Sequence, residues 1–556
     1  MAGRVERSFD AVVVGSGINS LACAALLCRG GWSVCVLERA ETLGGAIRTA
    51  EITEPGYLHE VFSAWHPLWV ASDAYGALGG ELRALGLEYL STGPGAPVTA
   101  TLFPDGEAAY LSTSPEANAA ELARLDAADG PAWTADRRDF DRDAPVTMRL
   151  LSVELASAAG ARLAASALSR LGPRRALALA GSMLGTSRSW LEQTFASERT
   201  RGLLAPWVLH TGLGPDDAGS GFMNRAIAAV LEGVGLPVPR GGGRSLVEAL
   251  AGLIGKSGGE CRSGAEVVRV LVAGGRATGV RLAGGEVVRA TRAVVCNVPP
   301  PALYGRLLEG APIPEPVRLE AERFRFGRSG MQIHYALSRP PRWQAGERLA
   351  ATPVVHLSGG LDAVRRAVGE AERGLLPAEA TIVCGQPCVL DPARAPEGAA
   401  ILWIQLQELP ARPRDDATGE IDVGDGTWTE SVRERYADRI ERRLARAIDG
   451  FEPTIRRRVV LSPADIASAN PNLVDGDIYS GSCQIDQLLL WRPRPGLRGH
   501  RTAVRGLYEI GASTHPGPGL GAGSGTLVAR QLLRGDRARL GPGPRARRGR
   551  LARARA

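Results

Sequence analysis

FDAVVVGSGINSLACAALLCRGGWSVCVLERAETLGGAIRT, residues 9–49, reads as strand, tight turn, helix, second strand and a second glycine turn. Phe9–Val14 is a short apolar run rich in β-branched residues, cut off by Gly15-Ser16-Gly17. Asn19–Arg29 has the alanine and leucine content of a helix packed on a sheet, and Trp32–Leu37 is the second strand, ending on Glu38. The spacing has a mechanism. Gly15 permits the sharp turn, and Gly17 lets backbone N–H groups approach a pyrophosphate at the positive helix N-terminus. Ser20 stands where a third glycine is usual, and it keeps a small residue where helix and strand pack closely. Glu38 lies 23 positions beyond Gly15, about where an acidic side chain accepts hydrogen bonds from an adenosine ribose. With Gly44-Gly45 and Arg48-Thr49 following, the stretch predicts a dinucleotide-binding βαβ unit and an α/β fold.

The chain has 556 residues, more than one hydrophobic core usually organises, so two domains are expected. It is 44% hydrophobic, yet no window holds the roughly 18–20 uninterrupted apolar residues of a membrane span. Residues 150–184, the most apolar region, are broken by Arg162, Arg170, Pro173, Arg174 and Arg175. The first strand begins within ten residues of Met1, which predicts a cytoplasmic chain without a secretory leader. The net charge of +7 is concentrated at the end: residues 530–556 hold ten arginines against Asp536, leaving the remainder at −2. That distribution predicts a disordered basic tail over 536–556 and argues against nucleic acid as a partner. The eight cysteines show no metal-ligand spacing, and Cys23 and Cys28 fall on one helix too far around it to form a dithiol pair.

Taken in order, residues 1–100 form the first part of a nucleotide-binding domain, 101–235 a helical cap, and 236–304 a return to the nucleotide domain. Residues 305–495 form the second part of a mixed sheet-and-helix substrate domain, and 496–535 close the nucleotide domain. His59, Trp65, His66 and Trp69 follow the second glycine turn, where a chain crosses the cofactor face; Trp207, His210 and Met223 interrupt the helical region and are candidates to line a cavity. The Ala/Leu-rich helices over 140–235 suit a lid over a buried pocket or an amphipathic face resting on a membrane surface. The closing stretch, 504–533, is strand, glycine-rich loop and helix. No second nucleotide fingerprint is present, because GLGAGSG (519–525) belongs to that closing loop.

Four segments together carry a resemblance: the opening GxGxxS…VLERAETLGGAIRT, the central GGGRSLVEAL and RAVVCNVPP, and the closing YEIGASTHPGPG. The chain resembles the phytoene desaturase-like flavoprotein oxidoreductases. PGYLHEVFSAWHP, LDPARAPEGAAILWIQ and DQLLLWRPRPGLRGHRTAVRGLYEIGASTHPG make it similar to the subgroup of pyridine nucleotide-disulfide oxidoreductase domain-containing protein 2. The resemblance implies a Rossmann-type FAD-binding domain, discontinuous in sequence, beside an α+β substrate domain. It places Gly15, Gly17 and Ser20 at the pyrophosphate, Glu38 at the ribose with Arg39 beside it, and Gly44, Gly45 and Arg48 on the diphosphate–flavin side. Val268 would sit by the adenine with Asn297 nearby, and Gly511, Ala512, Thr514 and Pro516 would approach the isoalloxazine.

The implied chemistry is hydride transfer between flavin N5 and a C–H or C=C of a hydrophobic, polyene- or isoprenoid-like substrate. Removal of the accompanying proton needs a base; His59, Glu60, His210 and His515 are the candidates. No metal is implied. Two rivals stand. An amine oxidase shares the fold, but such enzymes often set a lysine near N5, and Lys256 is the sole lysine in this chain. A regulatory protein that keeps the fold without catalysis, as Rab GDP-dissociation inhibitors do and as is suggested for mitochondrial-function regulators of the subgroup, is the other; the intact GASTHPG argues for retained flavin contact.

Overall fold

The computed structural model describes residues 7–497 and 499–540. Strand Arg7–Val14 leads to helix Ile18–Arg29 and strand Val34–Leu37, the βαβ unit read from the sequence. They belong to a seven-stranded sheet ordered Val267–Ala273, Arg276–Leu282, Val287–Cys296, Arg7–Val14, Val34–Leu37, Glu260–Arg262. The seventh strand, Leu507–Glu509, runs parallel to the end of Val287–Cys296. Ala11–Val14 is buried on both faces, which is why it is an unbroken apolar run and not an alternating one. The first helix is buried nearly all round. The closing helix Gly523–Leu540 packs so tightly on it that a Cβ at Gly525 would lie 1.9 Å from the Asn19 carbonyl oxygen. Gly274 and Gly275, at φ +58° and +70°, make the two-residue hairpin turn that favours positive φ at both positions.

A second seven-stranded sheet runs Ile455–Leu461, Ser329–Leu337, Ala400–Leu409, Ile382–Gly385, Val354–Leu357, Pro97–Leu102, Ala108–Ser112. Its rear face packs on helix Glu430–Ala447, whose Val432, Tyr436, Ile440 and Leu444 recur every fourth residue and enter that core. Its front face meets the helical region and the cleft. Strand Ile382–Gly385 ends just before a 3-10 turn that begins at Pro387, which has no N–H to give a ladder.

The helical excursion contains Asp129–Leu150 and Ala158–Leu184. The latter is kinked where Gly172 takes φ +74° ahead of Pro173, and its Leu168, Leu177 and Leu184 are exposed. No described helix is long and apolar enough to cross a membrane. The closing helix continues to Leu540, four residues past the start expected for the basic tail, and residues 541–556 lie outside the described residues.

Candidate functional site

The site is built from the βαβ turn outward. Gly15 adopts φ +86°, and helix Ile18–Arg29 starts with no side-chain cap and no acidic residue in its first turn. Its N-terminal amides therefore face the cleft as an anion-binding end. Ser16 organises the turn: its N–H and hydroxyl donate to Glu38 Oε2 at 2.8 and 2.7 Å, and its Oγ accepts from the Gly44 N–H at 2.9 Å. The Ala40 N–H donates to Glu38 Oε1 at 2.9 Å. Three close approaches crowd out side chains unless a neighbour shifts. A Cβ at Gly17 would lie 3.1 Å from Asn297 Nδ2, one at Gly45 3.1 Å from Gly17 Cα, and one at Gly511 2.2 Å from Asn297 Oδ1.

Asn297 is the knot. It ends the strand Val287–Cys296, donates from Nδ2 to Ser20 Oγ at 2.9 Å, and accepts at its carbonyl from Asn472 Nδ2 at 2.8 Å. The closing loop is tied in by Ser524, which accepts from the Gly511 N–H at 2.9 Å and donates to Asn19 Oδ1 at 2.8 Å.

These segments border one cavity of about 860 Å³. Gly15, Gly17, Glu38, Arg39, Gly44, Gly45, Arg48, Asn297 and Ala512 line it. Ser20 and Val268 do not. Ser20 is buried beneath the turn, and Glu266 and Val267, the residues just before Val268, line the cavity. Gly511, Thr514 and Pro516 stand behind Ala512: Thr514 donates to the Gly511 carbonyl at 3.0 Å, and Pro516 packs against Gly523.

The cavity continues from the nucleotide turn into a chamber walled by Trp65, Trp207 and Trp403 with Ile227, Leu231 and Tyr479. Trp65 meets Trp403 edge to face, centroids 5.4 Å apart. Gly385 makes the space, because a Cβ there would lie 2.1 Å from the Trp65 ring. Of the four acid–base candidates, the structure places only His210 in this cavity. It is half-buried, stacked on Trp207 at 4.5 Å between centroids, with Nε2 3.1 Å from Nε2 of the buried His356. Burial pushes its pKa down to about 3.

The other three lie outside the cavity lining. His59 is fully buried with Nε2 2.7 Å from Thr53 Oγ1 and its ring edge-on to His334; burial, with the Arg394 charge, pushes it down to about 3. Glu60 accepts from the Gly243 N–H at 2.8 Å and from Arg394 Nη1 at 2.9 Å. Burial drives its carboxyl up while Arg394 opposes. Arg394 also reaches Asp391 and the Pro239 carbonyl, so the cluster fastens three distant segments. His515 is buried with both ring nitrogens unpartnered, while its carbonyl accepts from His500 Nε2 at 2.8 Å. Burial and then the His500 charge push it down to about 4. His66, Trp69 and Met223 also lie outside the cavity lining, and Lys256 is exposed at the end of helix Arg244–Lys256. All eight cysteines carry free thiols, and burial raises those of Cys23 and Cys28 to about 12 and 11.

Sequence reasoning missed Ser16, Asn472, His356 and the glutamines of the chamber floor. The alternation in LWIQLQ, residues 402–407, was a usable signal: Trp403, Gln405 and Gln407 share the cavity-facing side of one strand.

A family described as flavin containing amine oxidoreductase matches residues 21–402. The chain belongs to this family. Pyridine nucleotide-disulfide oxidoreductase domain-containing protein 2 of Mus musculus is 28% identical to it over 576 residues, spanning 96% of this chain and 94% of its own. Hydroxyneurosporene desaturase of Cereibacter sphaeroides is 29% identical, over 94% and 97% of the two chains. An oxidoreductase from Methanosarcina mazei superposes with a TM-score of 0.60 at 15% identity, over 94% and 99% of the two chains, and shares the fold. The protein is thus a phytoene desaturase-like, FAD-dependent oxidoreductase. The residues present fit FAD: side-chain-free approaches at Gly17 and Gly45, an uncapped helix end, and Glu38 at the close of its strand form a continuous cradle.

Proposed function

We propose that the protein dehydrogenates a lipophilic substrate held in the tryptophan-walled chamber, with His210 receiving the proton that leaves with the hydride. Bound FAD supplies a two-electron hydride acceptor at N5. The observation that carries the reading is the continuity of one cavity from Gly15 and Gly17 to Trp207 and His210. Gly15, Gly17, Gly44, Gly45 and Arg48 hold the diphosphate, Glu38 the ribose, and Ala512 with Gly511, Thr514 and Pro516 the ring end. Trp65, Trp207 and Trp403 exclude water and orient the chain of the substrate. Conversion of a C–C to a C=C bond releases one hydride and one proton. Burial keeps the His210 ring neutral; in the tautomer that donates from Nε2 to His356, its Nδ1, which has no hydrogen-bond partner among the described residues, has the lone pair that takes the proton. One of the facing Nε2 atoms carries hydrogen and the other a lone pair, so the second ring fixes the tautomer of the first. Trp207 fixes its plane.

The test is anaerobic. FAD-loaded protein is mixed with isoprenoid alcohols, polyenes and alkylamines, and bleaching of the visible flavin band is followed. His210→Phe is expected to slow that bleaching by about a hundredfold while leaving the spectrum of bound FAD in place. Bleaching by amines alone, or by the His210→Phe protein at the wild-type rate, would overturn the reading.

A further inference from the structure

The floor of the chamber is not hydrocarbon. In the second sheet Gln332 pairs with Gln405, Gln405 with Val383, and Val383 with His356. These residues form one row across four adjacent strands, and Gln332, Gln405 and Val383 of that row line the cavity. His210 sits on the His356 end of the row through its Nε2 contact. With strands about 4.8 Å apart, Gln405 and His356 are separated by about 10 Å, the span of a small head group and the first carbons behind it.

The hydrogen bonds of the row fix which atoms are free. Gln407 spends both amide hydrogens, on Gln405 Oε1 at 3.1 Å and on the Tyr479 hydroxyl at 3.0 Å, and that hydroxyl donates to the Leu209 carbonyl. Gln405 is therefore held by its oxygen, and its Nε2 carries two hydrogens with no acceptor among the described residues. The side chain is only 9% exposed. Its nitrogen is not sealed as the oxygens of Gln332 and Gln407 are; it opens on the cavity that the residue lines. A donor pair in an apolar, aromatic enclosure is costly unless a ligand accepts from it. The ligand must then bring an oxygen acceptor. It must also be uncharged, because the arginines lining the cavity, Arg39, Arg48 and Arg306, belong to the nucleotide end. An ammonium would face hydrogens at Gln405.

We infer that Gln405 is the specificity residue for a neutral oxygen head group, so that the substrate is an oxygenated lipophile, an alcohol or a carbonyl compound, and neither a bare hydrocarbon nor an amine. This rests on the chamber being the substrate site proposed above.

Binding of 1-decanol, 2-decanone, decane and decylammonium to FAD-loaded protein is measured by quenching of tryptophan fluorescence, in wild type and Gln405→Leu. The substitution is expected to weaken decanol and decanone about tenfold and to leave decane within about twofold. Decylammonium is expected to bind wild type at least about tenfold more weakly than decanol. The infrared carbonyl stretch of 2-decanone bound to wild type is expected at lower frequency than in hexane, a readout that stands even if Gln405→Leu does not fold. An unshifted carbonyl, equal losses for decane and decanol, or tighter decylammonium binding would overturn the inference while leaving the chamber reading intact. Failure of all four probes to bind wild type would overturn both.

Discussion

The two sheets handle polar chemistry in opposite ways. The nucleotide sheet is apolar at its centre, in Ala11–Val14 and Val34–Leu37, and places its chemistry at strand ends, in turns where backbone amides and glycines make the contacts: Gly15, Gly17, Gly44, Gly45 and Asn297. The second sheet places its chemistry on the strand faces, with Gln332, Gln405, Gln407 and Trp403 projecting into the cavity from strands whose other side is core. The difference teaches what evolution can vary. A backbone cradle holds one ligand and fixes a sequence motif, whereas a row of side chains can be rewritten for a new substrate without moving the fold.

The largest expected effect lies where the two regions are fastened. Arg394→Met leaves Glu60 and Asp391 buried without their common partner. Breaking a buried ion cluster from one side costs about 3–5 kcal/mol, read as a fall in the denaturation midpoint of the whole chain. If only one region melts early, the cluster fastens less than the geometry indicates. Gly45→Val acts on the cradle alone. Gly45 sits at φ +62° with its would-be Cβ 3.1 Å from Gly17 Cα, so strain and lost approach together are expected to weaken FAD about a hundredfold, some 3 kcal/mol. Titration of apoprotein with FAD checks it, and decane binding in the chamber should survive.

The same contrast decides what could be read from the sequence. The βαβ unit, the glycine hairpin and the closing loop were legible because backbone geometry demands particular residues there; within the return expected over 236–304, strands between Glu260 and Cys296 join the nucleotide sheet. Side-chain roles were less so. His59, Glu60 and His515 carry chemistry-bearing groups near cofactor motifs, yet the structure buries all three outside the cavity lining, His59 against Thr53, Glu60 against Arg394, and His515 with its carbonyl on His500. His210 and His356 are 146 positions apart, and nothing local in the chain announces that they meet. Val268 lies one residue beyond Glu266 and Val267, which line the cavity.

The smallest expected effect tests the seam on the helical side. Glu154 lies in the connection between helices Asp129–Leu150 and Ala158–Leu184, and its Oε2 is 2.6 Å from His500 Nδ1. His500 in turn donates to the His515 carbonyl beside the cofactor loop. Burial pushes the Glu154 carboxyl up, but the hydrogen bond and charge of His500, with His515 adding to them, outweigh it and leave the group below its ordinary 4.5. A carboxyl depressed on folding stabilises above its unfolded pKa, and the contribution disappears as pH falls through the folded value. Glu154→Gln should therefore lower stability by about 1 kcal/mol or less at pH 7, and the gap to wild type should close below pH 4.5. A gap that persists at low pH would assign the contact to packing and not to charge, and the helical excursion would then be held to the cofactor loop by shape alone.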